Sequence, residues 1–136
     1  MKDSELIIAM ALIAHAANVG IWDPPTGFGA DDVALVYGDF GASTPDRAVG
    51  FTRYGGTGFN SNDDVRGPRP VQARVRGKPG DQRSADDLAD LVDAVFGRMP
   101  RTQGLSSEWA SGPLPLGADG NRRTELTLNY LVTPEG

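Results

Sequence analysis

The chain has 136 residues, a length that fits one hydrophobic core, and we expect residues 1–136 to form a single domain. A net charge of −5 argues against a nucleic-acid-binding protein, because such proteins present a basic face. The absence of cysteine excludes disulfides and thiolate metal sites, and 18 glycines with 10 prolines favour many turns over a helical bundle.

Apolar residues at three- and four-residue spacing predict a first helix at about residues 4–18. They cover much of its circumference, so we expect burial on more than one side, with Asp3 or Ser4 capping its start. Its apolar run, Leu6 to Ala17, is shorter than the roughly 20 residues that cross a bilayer, and no basic signal-peptide region precedes it. We therefore expect no membrane insertion and no secretion, and synthesis in a reducing cytoplasm.

Turns and short strands are predicted for the next part of the chain. The sequence WDPPTGFGA at 22–30 has the composition of a loop, and short apolar strands are predicted at 33–37 and 48–54. Most of the remainder of 38–68 is rich in glycine and proline and includes the polar tract SNDD. Loops of this length in a compact domain are either functional or disordered.

The C-terminal half predicts clearer elements. Alternating apolar and polar residues at 71–76 predict a strand, and an apolar stripe at 84–97 predicts a helix capped by Ser84. Two prolines in a strand at 106–116 place it at a sheet edge, and 123–133 alternates again. The order predicts an α+β fold: a mostly antiparallel β-sheet packed by two α-helices (about 4–18 and 84–97), with long Gly/Pro-rich loops.

The sequence contains no recognisable combination of catalytic, metal-binding or nucleotide-binding residues. His15, the single histidine, lies in the apolar helix, and a packed or surface histidine is favoured over a catalytic base. Turn and loop roles are favoured for Asp63, Asp64 and Asp119 over a carboxylate metal site. The glycine-rich stretches lack a nucleotide-binding fingerprint. We expect no catalytic residue, no cofactor and no metal.

Charge and aromatic residues indicate a protein partner instead. Five basic residues and no acidic one lie between Arg66 and Lys78, whereas Asp86 to Asp93 holds four aspartates and no base. Two such patches can be complementary between copies, and large aromatics in loops can anchor an interface. The alternatives are solvated faces and loops packed on their own domain. The predicted subunit-interface residues are Arg74, Arg76, Lys78, Asp86, Asp87, Asp90, Asp93, Trp22 and Trp109.

The order and wording of the C-terminal half resemble a known family. PVQARVRG (70–77) is followed by SADDLADLVDAVFG (84–97) and then by LGADGNRRTELTLNYLV (116–132). This succession resembles the tail-terminator, or minor capsid, proteins of siphophages, the long-tailed bacteriophages. The resemblance is strongest over 70–132, and the helix and loop at roughly 4–30 are similarly arranged. The matching residues of the final hairpin are Asp119, Asn121, Arg122, Asn129 and Tyr130.

The resemblance implies a structural virion protein rather than an enzyme. Such proteins form a ring, usually a hexamer, that caps the tail tube, stops its polymerisation and offers a surface to the head–tail connector. The implied partners are further copies of the chain, the tail tube protein and the connector or stopper protein, and DNA passes through the lumen without sequence-specific binding. The implied location is the head-proximal end of the virion tail, after assembly in the host cytoplasm. Other head–tail connector or head-completion proteins, and a monomeric bacterial ligand-binding module, are the alternatives.

Overall fold

The computed structural model describes residues 1–54 and 67–134 of the chain. Within these residues one curved sheet of seven strands carries two helices, which makes the fold α+β with strand content prevailing. The elements in chain order are α1 (Asp3–Ala16), β1 (Ile21–Trp22), β2 (Ala34–Tyr37), β3 (Ala48–Arg53), β4 (Arg69–Pro79), α2 (Gln82–Phe96), β5 (Arg98–Thr102), β6 (Leu105–Ala118) and β7 (Arg123–Pro134).

The sheet has the strand order β1-β2-β3-β4-β7-β6-β5 and is mixed. The pairs β1–β2 and β2–β3 are parallel, whereas β3–β4, β4–β7, β7–β6 and β6–β5 are antiparallel. The prediction of a mostly antiparallel sheet is therefore confirmed in part, since four of these six pairs are antiparallel and two are parallel. Parallel neighbours need a crossover connection, and the loops at 23–33 and 38–47 provide the two crossovers here.

Both helices share one core cluster with the apolar side of the sheet. α1 contacts β1, β2 and β3, and α2 contacts β4 and β7. The Phe51 ring of β3 meets the Phe96 ring of α2 edge-on at 5.6 Å, and the Tyr130 ring of β7 lies 6.0 Å from the Phe96 ring between centroids. Gly77 permits the close approach of β4 to α2, because an added Cβ would lie 2.5 Å from the backbone nitrogen of Ala85. Phe51, which lies in the strand predicted at 48–54, is a core residue.

The helix ends differ from the predicted ones. α1 begins after Lys2, and Asp3 forms ion pairs with Arg53 and Arg69 instead of capping the helix. α2 begins two residues early because the Asp81 carboxylate accepts the hydrogen bond of the Ser84 N–H, which makes Asp81 the cap. α1 is buried on a broad side, but Ile8 and Leu12 are exposed.

The last three strands form a long antiparallel unit. β5 follows α2 directly, in a segment between the predicted helix at 84–97 and the predicted strand at 106–116 for which the sequence predicted no strand. It pairs with β6 only as far as the Arg98–Glu108 pair. The predicted edge position of 106–116 is therefore wrong at the start of β6 and correct from residue 109 onward, where no described strand covers the outer side of β6. Pro113 and Pro115 lie in this uncovered half.

Neither described helix has the length and hydrophobicity that a membrane span requires.

Candidate assembly interface

The predicted basic residues of β4 lie on the side of the sheet that faces away from the helices. Val71, Ala73 and Val75 point into the core, and the alternating positions therefore point outward. Arg74 pairs there with Glu125 of the neighbouring strand β7. Its side chain remains 41% exposed, so Arg74 is available to a partner.

Arg76 lies next to Arg74 on the same side but is only 5% exposed. Its guanidinium donates hydrogen bonds to the carbonyl oxygens of Asp46 at 2.9 Å and Pro45 at 2.8 Å, with a longer contact to Thr44 at 3.4 Å. It also stacks over the Phe40 ring, 4.6 Å from the ring centroid. Arg76 therefore holds the crossover between β2 and β3 within its own subunit.

Burial lowers the pKa of Arg76, but the guanidinium keeps its charge. Loss of solvent lowers the pKa of the guanidinium, and the positive charge of Arg123 lowers it further. The carboxylates of Asp119, Glu125 and Asp46 oppose these effects. Because a guanidinium starts from a pKa above about 12, Arg76 stays charged at neutral pH.

A second contact ties the same crossover to the β6–β7 turn. The Arg123 guanidinium reaches Asp46 at 3.3 Å and Asp119 at 2.8 Å. Asp119 also accepts hydrogen bonds from the backbone N–H groups of Asn121 and Arg123, both at 2.9 Å. Burial alone would raise the pKa of Asp119, but these hydrogen bonds outweigh it, and the pKa lies below its usual value. The predicted turn role of Asp119 is confirmed.

The remaining charged residues of the prediction lie on and beside α2. Lys78, at the end of β4, is exposed, and its backbone N–H donates to the Ser84 hydroxyl at 3.1 Å. The structure thus places Lys78 next to the start of the acidic helix in one subunit. Three of the acidic side chains are exposed, and the fourth accepts the Tyr130 hydroxyl at 2.9 Å. The exposed three are Asp86, Asp87 and Asp90, and the hydrogen-bonded one is Asp93.

The two tryptophans lie toward opposite ends of the sheet. Trp22 belongs to β1 at one edge, is partly buried against the core, and donates its backbone N–H to His15 Nδ1 at 3.1 Å. Trp109 belongs to β6 near the other edge and is 52% exposed, with its indole N–H donating to the Gly112 carbonyl at 2.9 Å. In the strand order of the described sheet these two residues are therefore well separated within a subunit.

An open hollow lies where β1 ends and leaves the rest of β2 uncovered. We call it the β2 hollow; its volume is about 690 Å³. A second apolar hollow of about 830 Å³ lies between the C-terminal half of α1, α2 and β5, and we call it the α1–β5 groove. The lining of the β2 hollow includes Trp22, Pro24, Phe28, Leu35, Tyr37 and Ser43.

Sequence reasoning missed two exposed leucines of β6. Leu114 is 58% exposed and Leu116 is 52% exposed, and both stand in the uncovered half of the strand beyond Trp109. The alternation of proline and leucine in PLPL at 113–116 was the available signal, because a proline-bearing edge strand has no covering neighbour. No cluster of three or more potential metal ligands occurs in residues 1–54 and 67–134, and Asp63 and Asp64 lie outside them.

Comparison with known proteins gives one match. A family model described as "Bacteriophage tail terminator protein" matches residues 15–135, which is most of the chain. Searches of curated proteins and of solved structures give no match.

Proposed function

Because the chain belongs to the bacteriophage tail terminator family, we propose that it forms a ring that caps the tail tube of a siphophage virion. The family is structural, and its members are tail proteins of the virion. In this proposal the ring, a hexamer, stops polymerisation of the tube and presents its other side to the head–tail connector. The family match over residues 15–135 is the observation that supports the proposal.

The surface of the subunit suits assembly with protein. Within the sheet, exposed large apolar side chains occur at two places far apart in the strand order, at Tyr37 of β2 and along β6. Further ones lie on the helices, at Ile8, Leu12 and Leu91. A ring needs two different patches of each subunit to meet around a closed rotation, so separated patches are what such an assembly requires. The net charge of −5 suits a lumen through which DNA passes without binding.

We propose that some, but not all, of the predicted charged residues pair between subunits. Arg74 and Lys78 offer basic groups, and Asp86, Asp87 and Asp90 offer acidic ones, because all five side chains are at least partly exposed. Arg76 and Asp93 are assigned to contacts within the subunit. Such rim pairs mainly guide the encounter, so we expect Lys78→Glu to slow assembly most strongly at low salt.

The test uses the purified chain and its tail tube protein. Tube subunits are polymerised with increasing amounts of the chain, tube lengths are measured by electron microscopy, and the mass of the chain alone is followed by light scattering. We expect shorter tubes, each carrying a ring at one end, and a six-subunit mass either free or on the tube. Tubes of unchanged length with no bound protein would refute the proposal. Binding to the connector but not to tubes would favour a head-completion protein.

A further inference from the structure

The outer half of β6 is an apolar, uncharged edge segment at one end of the sheet. We call residues 109–118 the β6 arm; their sequence WASGPLPLGA contains no charged residue, although 23% of the whole chain is charged. Trp109, Leu114 and Leu116 are each more than half exposed along it. Isolated exposed leucines are ordinary, but three large apolar side chains within eight residues of one strand form a surface suited to a partner.

The β6 arm is poorly suited to accept another strand. Pro113 and Pro115 carry no N–H, and prolines are typical of strand edges that do not pair further. Several register shifts also interrupt the pairing of this half of β6 with β7. A partner must therefore recognise the arm through its side chains, which requires a concave apolar surface.

The same chain provides such a surface at the opposite end of the sheet. The β2 hollow lies beside β1 and β2, the first two strands of the order, whereas β6 and β5 are the last two. Its volume is about 690 Å³, and it is open to solvent. Its walls are largely aromatic and aliphatic, and Asp23 is the one charged residue of the lining. The uncharged arm brings no charge of its own into the hollow, and Asp23 is exposed to solvent there.

We propose that the β6 arm of one copy inserts its exposed side chains into the β2 hollow of the next copy. This inference rests on the proposed ring and names the surfaces that build it. Exposed apolar side chains toward one edge and a hollow toward the opposite edge of one sheet suit a head-to-tail contact, in which each copy uses one patch as donor and the other as acceptor. The occupant of the hollow is therefore a second copy of this chain.

The α1–β5 groove is the competing acceptor, and its position argues against it. Met99 of β5 lines this groove, and the Trp109 N–H bonds to the Gly97 carbonyl at 2.7 Å, immediately before β5. The groove and the arm thus belong to the same end of the sheet. If the arm of one copy entered this groove of another copy, the β5–β6 ends of the two sheets would meet. Contact between the same ends of two copies favours a two-fold dimer over a ring.

Cross-linking tests the contact directly, because the chain has no cysteine of its own. The variant Ser43→Cys/Leu116→Cys places one thiol at the hollow and one on the arm. A short bismaleimide reagent is added to the assembled protein, since it tolerates positional error that disulfide geometry does not. We expect a covalent ladder of dimers, trimers and higher species, and single-cysteine variants should give none. The matched control is Gln103→Cys/Leu116→Cys, which places the first thiol at the α1–β5 groove instead.

The possible outcomes distinguish failure of the proposed contact from failure of the proposed ring. A multimer that gives no ladder with Ser43→Cys/Leu116→Cys, or one that is cross-linked through Gln103→Cys or by Leu116→Cys alone, overturns the contact and leaves the proposed function standing. A chain that stays monomeric at every concentration and does not shorten tubes overturns the proposed function and the contact with it.

A charge substitution provides an independent measurement. Leu116→Asp should raise the concentration for half-maximal assembly at least tenfold, because it buries a carboxylate in an apolar hollow. Ile8→Asp is the control, since Ile8 is also exposed but lies on α1, away from the arm, the hollow and the charged residues of the proposed interface. Equal assembly of the two variants, with circular dichroism spectra unchanged from the parent, would overturn the contact.

Discussion

Replacing Arg76 by methionine should destabilise the fold although Arg76 was predicted to face a neighbouring subunit. Methionine retains much of the apolar stem, so the change removes mainly the guanidinium. Two good hydrogen bonds to the carbonyl groups of Pro45 and Asp46 are lost, at about 1 kcal/mol each, and both carbonyls lose a charged donor. The stacking on Phe40 adds about 1 kcal/mol. The expected loss in free energy of unfolding is about 3 kcal/mol.

Urea denaturation followed by tryptophan fluorescence measures this loss, at a protein concentration where parent and variant have the same mass. For a chain of this size about 3 kcal/mol corresponds to a fall in Tm on the order of 10 °C. Arg98→Met is the control, because the Arg98 side chain is exposed and the same substitution there should change the free energy of unfolding by less than about 0.5 kcal/mol. A loss below about 1 kcal/mol for Arg76→Met, or equal losses for the two variants, would refute the intramolecular role.

Two further changes test the packing around this crossover and the core. Gly50→Ala should be destabilising, because the added Cβ would lie 2.3 Å from the Gly38 carbonyl oxygen, whereas Gly120→Ala meets open space and is the control; thermal denaturation compares them. Burial raises the pKa of Tyr130, and the hydrogen bond to Asp93 raises it further. Because its folded pKa lies above the unfolded value of about 10, its contribution to stability is complete below pH 10 and is lost as pH rises above that value. Tyr130→Phe should therefore cost about 1 kcal/mol at pH 7 and flatten the fall in stability at high pH; an unchanged alkaline slope would contradict this.

The main elements could be predicted because their sequence periods are strong. The apolar stripe of Leu88, Val92 and Phe96 lies in helix α2, and the alternating segments 71–76 and 123–133 form strands β4 and β7. The predicted start of a helix was wrong where more than one short polar residue could act as its N-cap. Asp81 and Ser84 are both acceptable caps, and the hydrogen bond of Ser84 to the Lys78 N–H leaves the capping role to Asp81.

The parallel pairs β1–β2 and β2–β3 could not be predicted, because their cause is not local. A strand of four residues such as Ala34–Tyr37 has no pattern that distinguishes a parallel from an antiparallel neighbour. The direction follows from crossovers that return the chain to the same end of the sheet. The second crossover is held by Arg76, which is 30 residues away from Asp46 in the chain.

The basic residues of β4 were identified from the sequence, but the sequence does not show which of them are exposed on the surface of the subunit. Sequence gives the charge of Arg74, Arg76 and Lys78, but not which of them already has a partner in its own subunit. The alternation of β4 places Arg74 and Arg76 on one side of the sheet, and the crossover then covers Arg76 and leaves Arg74 partly exposed. The exposed leucines of the β6 arm were missed for the converse reason, since apolar residues in a strand are expected to be buried.

The buried Arg76 and the proposed subunit contact are connected through the same crossover loop. Ser43, which lines the β2 hollow, lies three residues before Asp46, to which both Arg76 and Arg123 bind. The wall of the hollow is therefore fixed from the outward side of the sheet by residues that the partner copy need not touch. A ring closes only if every contact imposes the same rotation, so an acceptor with a rigid wall favours closure over open chains. On this reasoning Arg76 serves assembly by shaping the acceptor, and its loss should weaken the ring even under conditions in which the subunit remains folded.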